Sequence, residues 1–414
     1  MKNRISNLKQ VGLQRSIALI VVIAFAALLS GCASQTVSKP SVETKDSDVR
    51  KAETVRTNPV VSTFLGNPSR SYYGTGPWSA QPLKVLWSVK TGAMAGPNHK
   101  VAWGGSAWPG QPSMNGERVY FGSADGNVYC INAKDGNVVW KFKGLDSMKA
   151  TPVIVGDKIV ANGLDTYIYC LKADDGTLLW KFKAGFEIDG SVAIVDDRIY
   201  FGCEDWFFYC LNLKDGSLVY KTQRLGSMEG SCTVVDGRIY VGTEQGDLYC
   251  LDAKDGSIIW KSRINADSDS TPAVTNDLVV TAAEDGNVTA YKRETGERVW
   301  AFKTRGGMWS SPTVSNGRVY IGSSDQNMYC LSLDKGELVW SYKTHAAVWG
   351  SAPIVDGRLV FGDKVGWLYV LSADDGKLIQ ELKLGENINA TPTIMDGRVY
   401  IGTSDKLNAL GAEE

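Results

Sequence analysis

Cysteine carries more potential chemistry than any other residue type in this chain, and its spacing decides how much of that chemistry is open. Cys130, Cys170, Cys210 and Cys250 follow one another at intervals of 40 residues, and Cys330 stands 80 residues further on. The same slot holds Ala290, Val370 and Ala409 in other copies. A position shared with alanine and valine is a small apolar site, so these five thiols read as core rather than as nucleophiles or metal ligands. Equivalent points on neighbouring repeats also lie beyond the ~7 Å Cα limit for a disulfide. Cys203 and Cys232 fall outside the slot, and the same limit argues against a bridge between them. There is no Cys-Cys pair and no Cys-x-x-Cys-His haem attachment.

Cys32 is different in kind. It ends the run Leu29-Ser30-Gly31-Cys32, behind an apolar stretch from Ile17 to Leu29 that itself follows Lys2, Arg4, Lys9 and Arg15. Positive charge, short apolar run and small residues in that order make a secretory signal, and the run is too short for a permanent membrane span. The four-residue ending resembles the bacterial lipobox, which implies cleavage before Cys32 and acyl chains of the palmitate type attached to the mature terminus at Cys32. Ala33, where an aspartate would resemble an inner-membrane retention mark, leans towards the periplasmic face of an outer membrane. A Gram-positive host would place the same anchor on the cell surface. Residues 1–31 are therefore expected to be a signal peptide and 32–58, polar and without apolar period, a solvated tether. Residues 59–414 are the folded domain.

Histidine offers little. His99 and His345 are the only two, too few to define a metal site, so both are expected to be structural and no metal or cofactor is expected. Removing residues 1–31 takes away four cations and no acid, leaving 40 Lys+Arg against 45 Asp+Glu, a charge of −5. An acidic chain without a basic stripe is a poor nucleic-acid partner.

The elements that hold these residues are set by a repeat. Cys250-Leu-Asp-Ala-Lys-Asp-Gly-Ser-Ile-Ile-Trp260 recurs with its closing aromatic at Trp140, Trp180, Tyr220, Trp260, Trp300 and Trp340, each 40 residues after the last, and Gln380 takes the next slot. Within one copy, Cys232-Val235, Arg238-Val241, Leu248-Leu251 and Ser257-Trp260 read as strands separated by Asp-Gly and Gln-Gly turns, the signal of antiparallel hairpins. Four strands in about forty residues, repeated, describe the blades of a β-propeller; an open β-solenoid is the competing arrangement. The chain ends after three strands of its last repeat, while Leu83-Val89 reads as a fourth strand with no blade of its own. Pairing the two gives an all-β, eight-bladed propeller of four-stranded antiparallel blades, closed by its N-terminal strand and free of an open edge.

In such a ring the loops joining one blade to the next share a face with the second hairpins, around the mouth of the central channel. That face supplies the candidate partner-binding residues. Met148, Glu187, Asp189, Met228, Glu229, Met308, Trp309 and Trp349 lie in joining loops. Trp103 and Trp108 lie in the longest one, where the 53 residues from Trp87 to Trp140 carry thirteen more than the repeat requires. Long loops and clustered aromatics mark contact sites.

The run Ala290-Tyr-Lys-Arg-Glu-Thr-Gly296-Glu-Arg-Val-Trp300 resembles the tryptophan-docking motif of the pyrroloquinoline-quinone-type propeller repeats, and copies of it span residues 83 to 410. One branch of that superfamily holds quinoprotein dehydrogenases, which bind the quinone and calcium in the central funnel. The other holds BamB-like lipoproteins of the outer-membrane β-barrel assembly machinery, which have no catalytic site and work by contact. The lipobox, the length and the eight blades resemble the second branch; the missing adjacent cysteines and short loops depart from the first. The resemblance implies a non-catalytic scaffold held to the membrane through Cys32, with a protein partner in the cell envelope. A quinone-dependent dehydrogenase and a carbohydrate-binding module are the alternatives.

Overall fold

Tight turns fix the blades. Each hairpin between a first and a second strand needs a backbone that follows the right-handed twist of the pair, and Asp236 and Gly237 supply it with φ of 50° and 71°, as Asn316 and Gly317 do with 48° and 71°. Positive φ at both central residues is the type I′ turn. The computed structural model of the chain describes residues 61–94, 103–104 and 110–412, and shows eight four-stranded antiparallel sheets and no helix among them. Seven blades lie at residues 113–143, 153–183, 193–221, 233–263, 273–303, 313–343 and 354–383. The fourth consists of Thr233–Val235, Arg238–Gly242, Asp247–Asp252 and Ile258–Arg263, close to the boundaries expected from the turns.

The eighth blade takes Thr393–Met395, Arg398–Gly402 and Lys406–Gly411 from the end of the chain and Lys84–Lys90 from its beginning. Lys84 pairs with Gly411 and Lys90 with Lys406, antiparallel. The ring is closed as the missing fourth strand required.

Adjacent blades are held by the repeat's aromatic. Trp260 donates from Nε1 to the carbonyl of Arg293 at 2.9 Å, and its indole lies so close to Gly296 that a Cβ there would fall 2.6 Å from the ring. Trp140, Trp180 and Trp300 make the same bond to Ala173, Leu213 and Leu333, and Tyr220 makes it through its hydroxyl to Ala253. Burying most of an indole contributes about 2 kcal/mol or more of apolar transfer. Gln380 breaks the series for a structural reason. The eighth blade is completed by the N-terminal strand and has no third hairpin, so no glycine waits for a tryptophan. Gln380 instead accepts from the N–H of Leu83 at 2.9 Å and donates to its carbonyl at 2.8 Å.

A second set of bonds runs nearer the axis. The backbone N–H groups of Gln111, Thr151, Ser191, Thr271, Ser311 and Ser351 each donate to the hydroxyl 40 residues on, at 2.8 to 3.0 Å. Each bond satisfies a buried donor at the entry to a first strand. The seven described cysteines are free and buried, and Cys203 and Cys232 are unbridged.

The segment before the closing strand was not legible as structure in the sequence, yet it stops the channel. Val61 pairs with Met114, Ser62 accepts from Ile154 and Pro68 from Val234, the Tyr73 hydroxyl meets the carbonyl of Val314, and Trp78 Nε1 donates to Val355. Residues 61–78 thus bond to innermost strands of blades 1, 2, 4, 6 and 7. Arg70 is 1% exposed and donates to the carbonyls of Phe64, Ser191 and Cys232 and to the Thr63 hydroxyl. Burial lowers its pKa to about 10, so it stays charged at neutral pH. The signal peptide, Cys32, the tether, His99 and Trp108 lie outside the described residues.

Candidate functional site

The forty-residue register places one residue per joining loop at the channel mouth: Lys149, Asp189, Glu229, Asp269, Trp309, Trp349 and Asn389. With the hydroxyl-bearing residues two positions later, several of these line a cavity of about 60 Å³ whose floor includes Phe64 of the stopping segment. The mouth has two unlike arcs.

The first arc is acidic. Asp189, Glu229 and Asp269 come from joining loops, and Glu204, Glu244 and Glu284 from the second hairpins of the same blades. Asp189 is held by Lys149 at 2.7 Å in an ion pair whose side chains are 9% and 5% exposed. Burial, reinforced by Asp189, Glu187, Glu229 and Glu244, pushes Glu204 up to about 9. Burial and Asp189 push Glu229 up to about 7, against the pull of Lys149. The neighbouring Asp267 and Asp269 are both raised, first by burial and then by the adjoining carboxylates, Glu284 and Glu244 for Asp267 and Glu229 and Asp267 for Asp269. Like charges taken out of water disfavour ionisation together.

The second arc is aromatic. Trp309 and Trp349 lie with ring centroids 3.8 Å apart at 44°. Trp309 Nε1 donates to Glu284 at 2.7 Å and Trp349 Nε1 to Ser324 at 3.0 Å, which fixes both rings. Lys364 sits over Trp349 with its ammonium 3.1 Å from the centroid; burial lowers its pKa.

The structure brings Asp189, Glu229, Trp309 and Trp349 together as the loop reading expected. It moves others away. Met148, Met228 and Met308 are fully buried in the cores between blades, because their slot is the apolar one that Ile188, Val348 and Ile388 fill elsewhere. They are corrected from contact residues to core. Glu187 is 7% exposed, so it too is no surface contact. Trp103 takes part through its backbone in a two-residue ladder with Met94. His345 lies against Trp367, with ring centroids 4.8 Å apart at 36°, and reaches Glu381 at 3.5 Å. The sequence reading missed the exposed apolar rim of this face: Leu145, Phe186 and Val365 are 59%, 46% and 45% exposed. Three unrelated repeat positions contribute it, so no periodicity announces it.

The channel-mouth cavity is floored by Phe64. Carboxylates crowd its acidic side: oxygens of Glu187, Asp189 and Glu204, and of Glu204, Glu229 and Glu244, lie within 4.8 Å of one another, near enough to share a cation.

The profile of the family described as "Beta-alanine-activating enzyme, beta-propeller" matches residues 156–410, and that of "Outer membrane protein assembly factor BamB" matches residues 83–227. Among solved structures, BamB from Moraxella catarrhalis is 17% identical, with 81% of this chain and 99% of that chain covered at a TM-score of 0.64. A europium-containing methanol dehydrogenase is 14% identical, with 86% and 99% covered at 0.72. The quinohemoprotein alcohol dehydrogenase from Comamonas testosteroni is 12% identical, with 86% and 82% covered at 0.72. At such identities the likeness carries the fold alone. No curated protein matches the chain. The chain belongs to the family described as "Beta-alanine-activating enzyme, beta-propeller", whose profile matches more than half its length, and its docking motif and eight blades make it a propeller of the pyrroloquinoline-quinone-like repeat kind.

Proposed function

We propose that this propeller is a non-catalytic scaffold lipoprotein that captures a protein partner on its joining-loop face, in the assembly of outer-membrane β-barrel proteins. The observation that carries the reading is the contrast between the channel's two ends. One is stopped by residues 61–78, which bond to the first strands of five blades. The other opens on fixed tryptophans and carboxylates inside a rim of exposed apolar side chains, the mixture from which interfaces draw most of their energy. The BamB profile match and the lipobox-like run ending at Cys32 support the cellular setting.

A photo-crosslinking residue placed at Phe186 or Leu145 in living cells tests this directly. Recovery of barrel-assembly proteins is expected; recovery of glycan alone, or of nothing, would overturn it. Purified protein incubated with pyrroloquinoline quinone and calcium should keep no quinone absorbance after desalting and show no alcohol-dependent dye reduction. Either signal would favour the dehydrogenase reading. Cys32→Ala should leave the precursor uncleaved and unacylated.

A further inference from the structure

Asp189 Oδ1 and Asp269 Oδ1 at the channel mouth are sealed from solvent and meet no hydrogen-bond donor among the described residues, as is true of Asp267 Oδ1 and Asn389 Oδ1 in the same ring of joining loops. The Asp189 and Asp269 side chains line the cavity, and that of Asp189 is 9% exposed, with only its other oxygen satisfied by Lys149. A buried acceptor left without a donor is costly, so this arrangement suits a donor that arrives from outside. Trp309 lines the same cavity, and its bond to Glu284 pins it against the acidic arc. A metal ion would use the oxygens and ignore the indole. A guanidinium uses both, because it presents five N–H groups in a plane and stacks its flat face on an aromatic ring.

We propose that the channel mouth is a receptor for an arginine side chain presented by the partner protein, its guanidinium donating to Asp189, Glu229 and Asp269 and lying against Trp309. This rests on the scaffold reading and names the chemistry of its partner. Acidic side chains outnumber the single lysine, Lys149, that the register places among them, and an arriving cation would offset the mutual repulsion that raises Glu229 and Asp269.

The test is calorimetric titration of the purified chain with the peptide acetyl-Gly-Arg-Gly-Arg-Gly-amide, and with a second peptide carrying citrulline, which keeps the shape and removes the charge. The arginine peptide is expected to bind roughly tenfold or more tightly than the citrulline peptide, and to weaken by a similar factor in Glu229→Gln and Asp269→Asn. Equal binding of the two peptides would overturn the proposal, as would unchanged binding by well-folded variants. Displacement of the peptide by calcium chloride at low concentration would assign the arc to a metal ion and overturn it too. Should a variant fail to fold, the comparison of the two peptides on the unaltered chain still decides. Crosslinking from Phe186 separates the two readings: if it still captures its partner in Glu229→Gln while the peptides bind alike, the scaffold stands and the arginine receptor falls.

Discussion

Gln380 and Leu83, 297 residues apart, exchange two hydrogen bonds across the seam between the seventh and eighth blades. Gln380→Ala removes both and should lower the free energy of unfolding by about 1–3 kcal/mol. Gln380→Trp, which restores the repeat's usual residue, should also destabilise, because no hairpin glycine is there to receive the indole. Urea midpoints of the two variants check this; a stabilising tryptophan would contradict the account of the seam.

The docking glycines can be separated from ordinary turn glycines. Gly296 and Gly237 have nearly equal φ, 72° and 71°, but a Cβ on Gly296 meets Trp260 while one on Gly237 meets nothing within 4 Å. Alanine at either position bears the same backbone strain of about 1 kcal/mol. Gly296→Ala should cost about 1–3 kcal/mol more than Gly237→Ala, from overpacking alone. Thermal melts of the two proteins give the difference.

Stability should fall as pH rises across the neutral range. Burial and neighbouring carboxylates raise Glu204 to about 9 and Glu229 to about 7 in the folded chain, whereas in the unfolded chain both titrate in the ordinary carboxylate range. Between that range and about pH 9 the folded state therefore holds more protons than the unfolded state, and the stability present at low pH is lost as pH rises through the folded values. Glu204→Gln should flatten this dependence and be the more stable protein at the alkaline end. Urea midpoints measured at several pH values show it; a steeper slope in the variant would contradict the assignment.

Arg70 should be irreplaceable by lysine. Its fork reaches the carbonyls of Phe64, Ser191 and Cys232 and the Thr63 hydroxyl at once, and an ammonium cannot span them. Arg70→Lys and Arg70→Met should both cost about 3 kcal/mol or more, by stranding buried acceptors. Limited proteolysis should then cut within residues 61–78 of the variants and spare them in the unaltered protein.

How much was legible follows from what repeats. The cysteine slot gave away its burial because alanine and valine share it, and the strands of the blade ending at Trp260 came close to their observed boundaries because Asp-Gly turns leave little freedom. The same register argument, applied to Met148, would have set it beside Ile188 and Val348 and put it inside. Loop position points the three methionines to solvent and slot points them to the core, and in the folded chain the slot prevails. Residues 61–78 repeat nothing, and many of their bonds engage backbone groups, which every residue carries, so composition could not reveal them. The acidic arc was half visible: Asp189 and Glu229 stood in joining loops, but Glu204 became part of it only when the second hairpins of the blades came alongside.

The pairing of Lys84–Lys90 with Lys406–Gly411 also orders events in time. Blades can form and stack as each forty-residue unit emerges, since each needs only its neighbours, but the ring cannot be sealed until the last few residues exist. Until then the earliest strand waits unpartnered and the third strand of the final blade has an open edge. A chain lacking Lys406–Gly411 is thereby denied this closure, whatever the state of its other seven blades.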